Sequence, residues 1–165
     1  MKTRKRRPGA ACWALVLLVA PLSGLSAQLP AIILEGGLHG TMTIVDSGRV
    51  GLVAGPRIAF RTFGGTRVAV SVGVGFRGDS ASVRGEAAVE FVLAPRAAHR
   101  FTVYFGGGVA GVVGGGRGGY LLLYAGLEGS PGLPKGWAFE VGLGSGFRFR
   151  VAYHWRRFPP GWRPQ

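Results

Sequence analysis

Eight stretches of this chain alternate between apolar and polar residues with a period of two, and the charged residues within them share the polar face. Residues 66–77 read TRVAVSVGVGFR, with valine or phenylalanine at every second position from Val68 to Phe76. Such alternation is typical of β-strands that have one apolar and one polar face. Glycine, at 31 of 165 residues, is too frequent for a helical chain. The pattern therefore predicts an all-β protein.

Turn residues separate the alternating stretches and determine how the strands connect. The breaks read DSG, GG, GD, APRAAH, GGGRGG, SPGLPK and SG, and these compositions favour tight turns. Connections this short require antiparallel neighbours, because a parallel crossover needs a dozen residues or more. We therefore predict an eight-stranded antiparallel up-and-down meander. The predicted strands span residues 31–45, 49–63, 66–77, 81–93, 100–113, 119–129, 136–144 and 146–156.

The first 27 residues have the layout of a secretory signal peptide. A basic start is followed by an apolar run from Ala10 to Ala20 and by a small residue at Ala27. The apolar run is too short to span a bilayer as a helix. We expect cleavage after Ala27, a barrel over residues 28–158 and an irregular tail over residues 159–165. Because Cys12 lies in the leader, the exported chain would contain no cysteine and no disulfide.

The net positive charge adds little to the functional assignment. The chain has 20 basic and 7 acidic residues, and five of the basic residues lie in the leader, which leaves 15 against 7. An excess of basic residues can indicate nucleic-acid binding. An exported protein does not meet nucleic acid, so we expect no nucleic-acid partner.

Two features of the alternating faces favour an apolar face that points outward. Besides Arg and Glu, the polar face is mostly Gly, Ala and Ser, which suits a cramped interior better than a water-facing surface. Aromatic residues of the apolar face cluster near strand ends, as in the girdles at membrane interfaces. A sheet that spans a bilayer must also close on itself, because lipid cannot satisfy an open edge. The interfacial aromatics predicted in this way are Phe60, Phe76, Phe91, Phe101, Trp137, Phe147 and Trp155.

A soluble exported barrel that binds an apolar ligand is the alternative to a membrane protein. It requires the opposite arrangement, with the valine face around an internal cavity and the polar face in water. Considered alone, residues 66–77 are compatible with either arrangement.

The last predicted strand, GFRFRVAYHW, has aromatic residues in alternation up to Tyr153 and Trp155. Together with the eight-strand layout of residues 29–158, this strand resembles the small eight-stranded outer-membrane barrels of the OmpA- and OmpX-like class. The resemblance implies a closed transmembrane β-barrel in the outer membrane of a Gram-negative cell, in contact with membrane lipid. It also implies that barrel-assembly machinery recognises the terminal strand during insertion. The oligomeric state stays open, with a monomer as the simplest case.

Charged residues on the inner face of such a barrel must find partners. An eight-stranded barrel is just wide enough for side chains to fill its interior, and buried charges are costly unless they pair or reach water. We therefore predict an ion-pair network that plugs the barrel, with Arg67 and Arg77 meeting water at the two ends of their strand. A narrow anion-preferring path is the functional alternative, because the polar face carries more Arg than Glu. The predicted network comprises Glu35, Glu86, Glu90, Glu128, Glu140, Arg57, Arg61, Arg84, Arg148 and Arg150.

The sequence offers little support for catalysis. His39, His99 and His154 are scattered, and no serine is placed beside them in sequence as a triad would suggest. No spacing of ligand residues matches a metal site, so we expect no catalytic residue, no cofactor and no metal. The alternative is a lipid-modifying barrel enzyme, which would require His39 or His154 near a carboxylate and a hydroxyl at the outer rim. Residues 77–80 read RGDS, which we interpret as a hairpin turn rather than an adhesive motif.

Overall fold

The computed structural model describes residues 32–45, 48–98 and 100–165. The predicted leader and its cleavage site lie outside the described residues, as does His99. No helix in the described ranges is long and apolar enough to cross a bilayer.

The described chain is all-β, and eight antiparallel strands in sequence order form a closed up-and-down barrel. This confirms the predicted strand number, direction and connectivity. β1 pairs with β8 to close the sheet, so the barrel has no open edge. The strands are β1 Ile33–Ile44, β2 Val50–Arg61, β3 Thr66–Arg77, β4 Ser80–Val92, β5 Phe101–Val113, β6 Gly118–Gly129, β7 Lys135–Leu143 and β8 Phe147–Arg157.

Neighbouring strands are strongly staggered around the barrel. A path of directly paired residues that leaves β1 at Leu34 crosses every strand and returns to β1 at Ile44, ten residues further along. This displacement is the shear of the barrel, which together with the number of strands sets their tilt. With a rise of about 3.3 Å per residue and a strand separation of about 4.8 Å, the tilt is roughly 40°. The path is Leu34, Phe60, Val68, Val89, Gly107, Leu123, Leu143, Phe147 and Ile44.

The alternation seen in the sequence separates an apolar outer wall from a polar interior. In β3, Val68, Val70, Val72 and Val74 point outward and are 47–62% exposed. The charged side chains Glu35, Arg57, Glu86 and Arg150 are buried in the interior, and the same division holds in the other strands. The soluble ligand-binding alternative required valines around an internal cavity, and the structure contradicts that requirement.

Both termini of the described chain lie at one end of the barrel, because β1 begins where β8 ends. We call this the termini end. It also holds the connections that follow β2, β4 and β6. The connections that follow β1, β3, β5 and β7 lie at the other end of the barrel, which we call the opposite end. The RGDS segment forms the two-residue turn between β3 and β4, with Gly78 at φ 60°. Arg77 is half-buried and its Nη1 lies 3.4 Å from the Tyr120 hydroxyl, whereas Asp79 is exposed.

The C-terminal tail folds over the termini end. Trp162 stacks on Phe158 with a centroid distance of 4.7 Å, meets Phe63 edge to face at 5.0 Å, and donates from Nε1 to the carbonyl of Gly132 at 3.0 Å. The main chain of Gln165 exchanges hydrogen bonds with the loop that follows β4. Residues 93–98, 130–134 and 158–165 thus form a layer of loop and tail across this end, which we call the cap.

Replacement of Trp162 should loosen the cap without opening the barrel. We expect Trp162→Ala to lower the free energy of unfolding by about 1–2 kcal/mol, because two aromatic contacts and one hydrogen bond are lost. Urea titration of the folded protein, followed by the far-ultraviolet circular dichroism of its β-sheet, measures the change. Arg163→Ala removes an exposed side chain next to Trp162 and should change stability by less than about 0.5 kcal/mol. Equal effects of the two substitutions would contradict a structural role for the cap.

Candidate functional site

The barrel interior contains one connected network of ion pairs. All ten residues predicted for it lie in the interior and participate in it. Arg67, Arg156 and His154 also take part. Within the described chain the network therefore joins five Glu to seven Arg, and it reaches from the termini end to Arg84 near the opposite end.

Arg67 is the hub of the half that lies toward the termini end. Its Nε is 2.5 Å from Glu90 Oε2, and its Nη1 is 2.8 Å from Glu128 Oε2 and 3.0 Å from Glu35 Oε2. The side chain is fully buried, so the prediction that Arg67 meets water at its strand end was wrong. The reason is the cap, which covers this rim. Arg61 on the neighbouring strand is also fully buried and donates to the carbonyl of Pro131 in the cap at 2.7 Å.

Glu86 and Glu140 organise the other half of the network. Glu86 lies 2.6 Å from Arg84 Nε and 3.1 Å from Arg148 Nη2, and it also pairs with Arg150. Glu140 Oε2 lies 3.0 Å from Arg148 Nη2. The Nη1 of Arg57 is 3.5 Å from Glu140 Oε1, and its Nη2 is 2.6 Å from Glu90 Oε1, so Arg57 joins the two halves.

Two interior tyrosines, which the sequence pattern did not predict as part of the network, support it. Tyr124 donates its hydroxyl to Glu90 at 2.6 Å, and Tyr104 donates to Glu140 at 2.9 Å. Their rings face cations, since the guanidinium carbon of Arg67 is 5.1 Å from the Tyr104 centroid and that of Arg148 is 4.9 Å from the Tyr124 centroid. Each tyrosine thus contacts a carboxylate through its hydroxyl and a guanidinium through its ring.

The sequence prediction did not include Arg156 in the network, although the period of two places its side chain on the interior face. It lies in phase with Arg148, Arg150 and His154 on β8. Its Nε is 3.6 Å from Glu35 Oε1, and its Nη2 pairs with Glu128. Counting the alternation one step further toward the end of the strand would have placed it inside.

At the opposite end, side chains fill the interior nearly up to the opening of the barrel. A cavity of about 20 Å³ lies there between Thr43, Ser82, Arg84 and Ser145, which is room for about one water molecule. Arg84 Nη1 donates to the Ser145 hydroxyl at 3.2 Å and Arg84 Nη2 to the Gly144 carbonyl at 3.3 Å. The interior at this level is therefore occupied by bonded side chains.

Neither described histidine lies at an outer rim. His154 is buried in the network, with Nδ1 3.8 Å from Glu128 Oε1 and Nε2 3.4 Å from Arg57 Nη1. His39 is buried in the interior. His39 and His154 therefore do not occupy the outer-rim position that the enzyme alternative requires.

Glu35, Glu128 and His154 bring three potential metal ligands within 4.8 Å of one another. Arg67 and Arg61 already pair with Glu35, each at 3.0 Å, and Arg67 also pairs with Glu128. A cation at this position would have to displace these guanidinium groups and would face their positive charge. The arrangement fits the ion-pair network better than a metal centre.

The seven predicted interfacial aromatics all point outward near strand ends, with 43–68% of each exposed. Five lie toward the termini end, namely Phe60, Phe91, Phe101, Trp137 and Trp155, and Phe76 and Phe147 lie toward the opposite end. Tyr153 extends the larger group, since its ring lies 4.8 Å from that of Trp137 and 5.2 Å from that of Trp155.

Comparison of the sequence with protein-family models and with curated proteins finds no match in either.

Proposed function

We propose that this chain is a small outer-membrane β-barrel protein with a plugged interior and a structural or interaction role, without catalysis. The observation that carries the proposal is the outer wall. Among the described residues, 34 large hydrophobic side chains are exposed to the outside of a closed barrel whose charged side chains are largely turned inward. A soluble monomer rarely exposes an apolar patch larger than a few hundred Å².

The dimensions of the barrel support a spanning role. At a tilt of roughly 40°, a 12-residue strand rises roughly 30 Å along the barrel axis, close to the thickness of a bilayer core. Because the barrel is closed, the backbone groups of β1 and β8 are hydrogen-bonded to each other. This satisfies the requirement that a sheet in the hydrocarbon region has no unpaired edge. The aromatic residues near both ends suit the two interfaces.

The occupied interior favours a plug over a path for ions. Among the described residues, ion pairs between five Glu and seven Arg link the inner faces of the strands, and these side chains fill the space that a conducting path would need. In this proposal membrane lipid is the permanent partner, the terminal strand β8 engages barrel-assembly machinery during insertion, and the folded protein is a monomer.

Two measurements on the full chain test the membrane assignment. After expression in a Gram-negative cell, the protein should sediment with the outer membrane and resist extraction by alkaline carbonate. On a gel run in detergent, the unheated sample should migrate differently from the boiled one, because a closed barrel with a bonded interior resists unfolding by detergent. A known soluble periplasmic protein from the same cells is the fractionation control. Recovery of the folded protein in the soluble periplasmic fraction would defeat the proposal.

A further inference from the structure

A groove runs along the outer wall over β7 and β8, near the termini end. It has a volume of about 700 Å³, and apolar side chains line most of it. Gly129, on the neighbouring strand β6, leaves a gap in the row of outward side chains. The other lining residues used here are Phe101, Trp137, Phe139, Val151 and Tyr153.

The walls of the groove are held in place by contacts between rings. Trp137 and Tyr153 meet edge to face at 4.8 Å, and Trp155 continues the row. A carbon atom of the Phe101 ring would lie 3.3 Å from a Cβ built on Gly129, so this ring lies close beside the glycine. The strand register and these ring contacts therefore fix the walls of the groove, and its mostly apolar lining suits an acyl chain.

One cationic side chain lines the groove near the rim, and further cationic residues lie at the same end of the barrel. Lys135 lines the groove itself, and the carbonyl of Arg100 accepts a hydrogen bond from the amide of Ser130, another lining residue, at 3.1 Å. Among the described residues, the acidic side chains of this end, Glu35, Glu90 and Glu128, are buried in the network. In the part of the chain that the structure describes, the exposed charged side chains of the termini end are all positive, and they are Arg96, Arg100, Lys135, Arg157 and Arg163.

We propose that this groove binds a phospholipid with an anionic headgroup, and this inference rests on the membrane role proposed above. The acyl chain lies in the groove against Phe139 and Val151, and the phosphate lies at the rim beside Lys135 and the Ser130 hydroxyl. Trp137 and Tyr153, with an apolar ring and a polar atom each, occupy the level between chain and headgroup. An anionic lipid fits better than a zwitterionic one, because Lys135 lines the groove and the part of this end that the structure describes has no exposed acidic side chain.

Quenching of Trp137 by brominated lipids tests the selectivity of the groove. The full chain carrying Trp13→Phe, Trp155→Phe and Trp162→Phe keeps Trp137 as its single tryptophan. It is folded into mixed vesicles of phosphatidylglycerol and phosphatidylcholine in which one lipid or the other has brominated acyl chains. We expect phosphatidylglycerol to be preferred about fivefold, the effect of one cation near a membrane surface. Lys135→Gln should reduce the preference to near unity, and Lys135→Arg should keep it.

The matched control is Arg117→Gln, which removes an exposed cation at the opposite end. Retention of the preference in this variant, with its loss in Lys135→Gln, supports the site. Equal quenching by the two brominated lipids would show that the barrel is inserted but has no anionic-lipid site, which overturns this inference alone. Loss of the preference in both variants would assign it to general charge and also overturn the inference. No quenching by either lipid would overturn the membrane proposal and this inference with it.

Discussion

Replacing Arg67 by methionine is expected to lower the free energy of unfolding by about 3–5 kcal/mol, the usual cost of removing one partner from a buried ion pair. Arg67 is fully buried and contacts Glu35, Glu90 and Glu128. Methionine can fill part of the same space but neutralises none of the three carboxylates. The large effect arises from these uncompensated charges rather than from lost packing.

Urea titration of the protein folded into phosphatidylcholine vesicles measures this change. Arg117→Met is the matched control, because it makes the same replacement at an exposed residue and should change stability by less than about 0.5 kcal/mol. The double variant Arg67→Met with Glu90→Gln should lose less than the sum of the two single changes, because each variant breaks the same pair. A loss below about 1 kcal/mol for Arg67→Met would contradict the role of this residue as hub of the network.

Introducing arginine in the middle of the outer wall is expected to destabilise the barrel in a bilayer by about 2–4 kcal/mol. Val72 is the test position, since it lies near the centre of β3 and is 47% exposed. In the proposed orientation its side chain lies in the hydrocarbon region, where a guanidinium loses its hydration. Unfolding of Val72→Arg in phosphatidylcholine vesicles, compared with the unmodified protein, gives the value.

The depth dependence separates this effect from a general intolerance of arginine. Val113→Arg places the same side chain at the last residue of β5, near the opposite end, and should cost only about 0–1 kcal/mol. In water both positions would tolerate arginine almost equally, because both are exposed. Similar small effects at Val72 and Val113 would therefore count against a membrane around this wall.

Local patterns were sufficient to predict the strands and their inner and outer faces. The side-chain direction of Arg148, Arg150 and Glu86 follows from the period of two, which is a property of the strand itself. Short turns then left an antiparallel meander as the only simple connection. For these reasons the strand bounds and the interior location of the charges could be predicted without the structure.

The partners of the charges could not be predicted in the same way. Glu90 and Arg57 lie on β4 and β2, which are not neighbours, so their contact depends on the shear and on the curvature of the closed sheet. Alternation within one strand contains no information about shear. The burial of Arg67 depends in addition on the cap, whose loops and tail have no periodic pattern. The expectation that Arg67 meets water was wrong because the sequence pattern did not predict this cap.

The seam between β1 and β8 favours one register of closure through two polar pairs. Across it Glu35 stands opposite Arg156 and Thr41 opposite Arg150, and the Nε of Arg150 donates to the Thr41 hydroxyl at 2.8 Å. If the last strand joined one residue out of step, its arginines would face outward and its aromatics inward. A slip of two residues would keep the faces correct but would separate both polar pairs. Both errors would therefore destabilise the closed barrel, the first through the reversed faces and the second through the lost polar pairs.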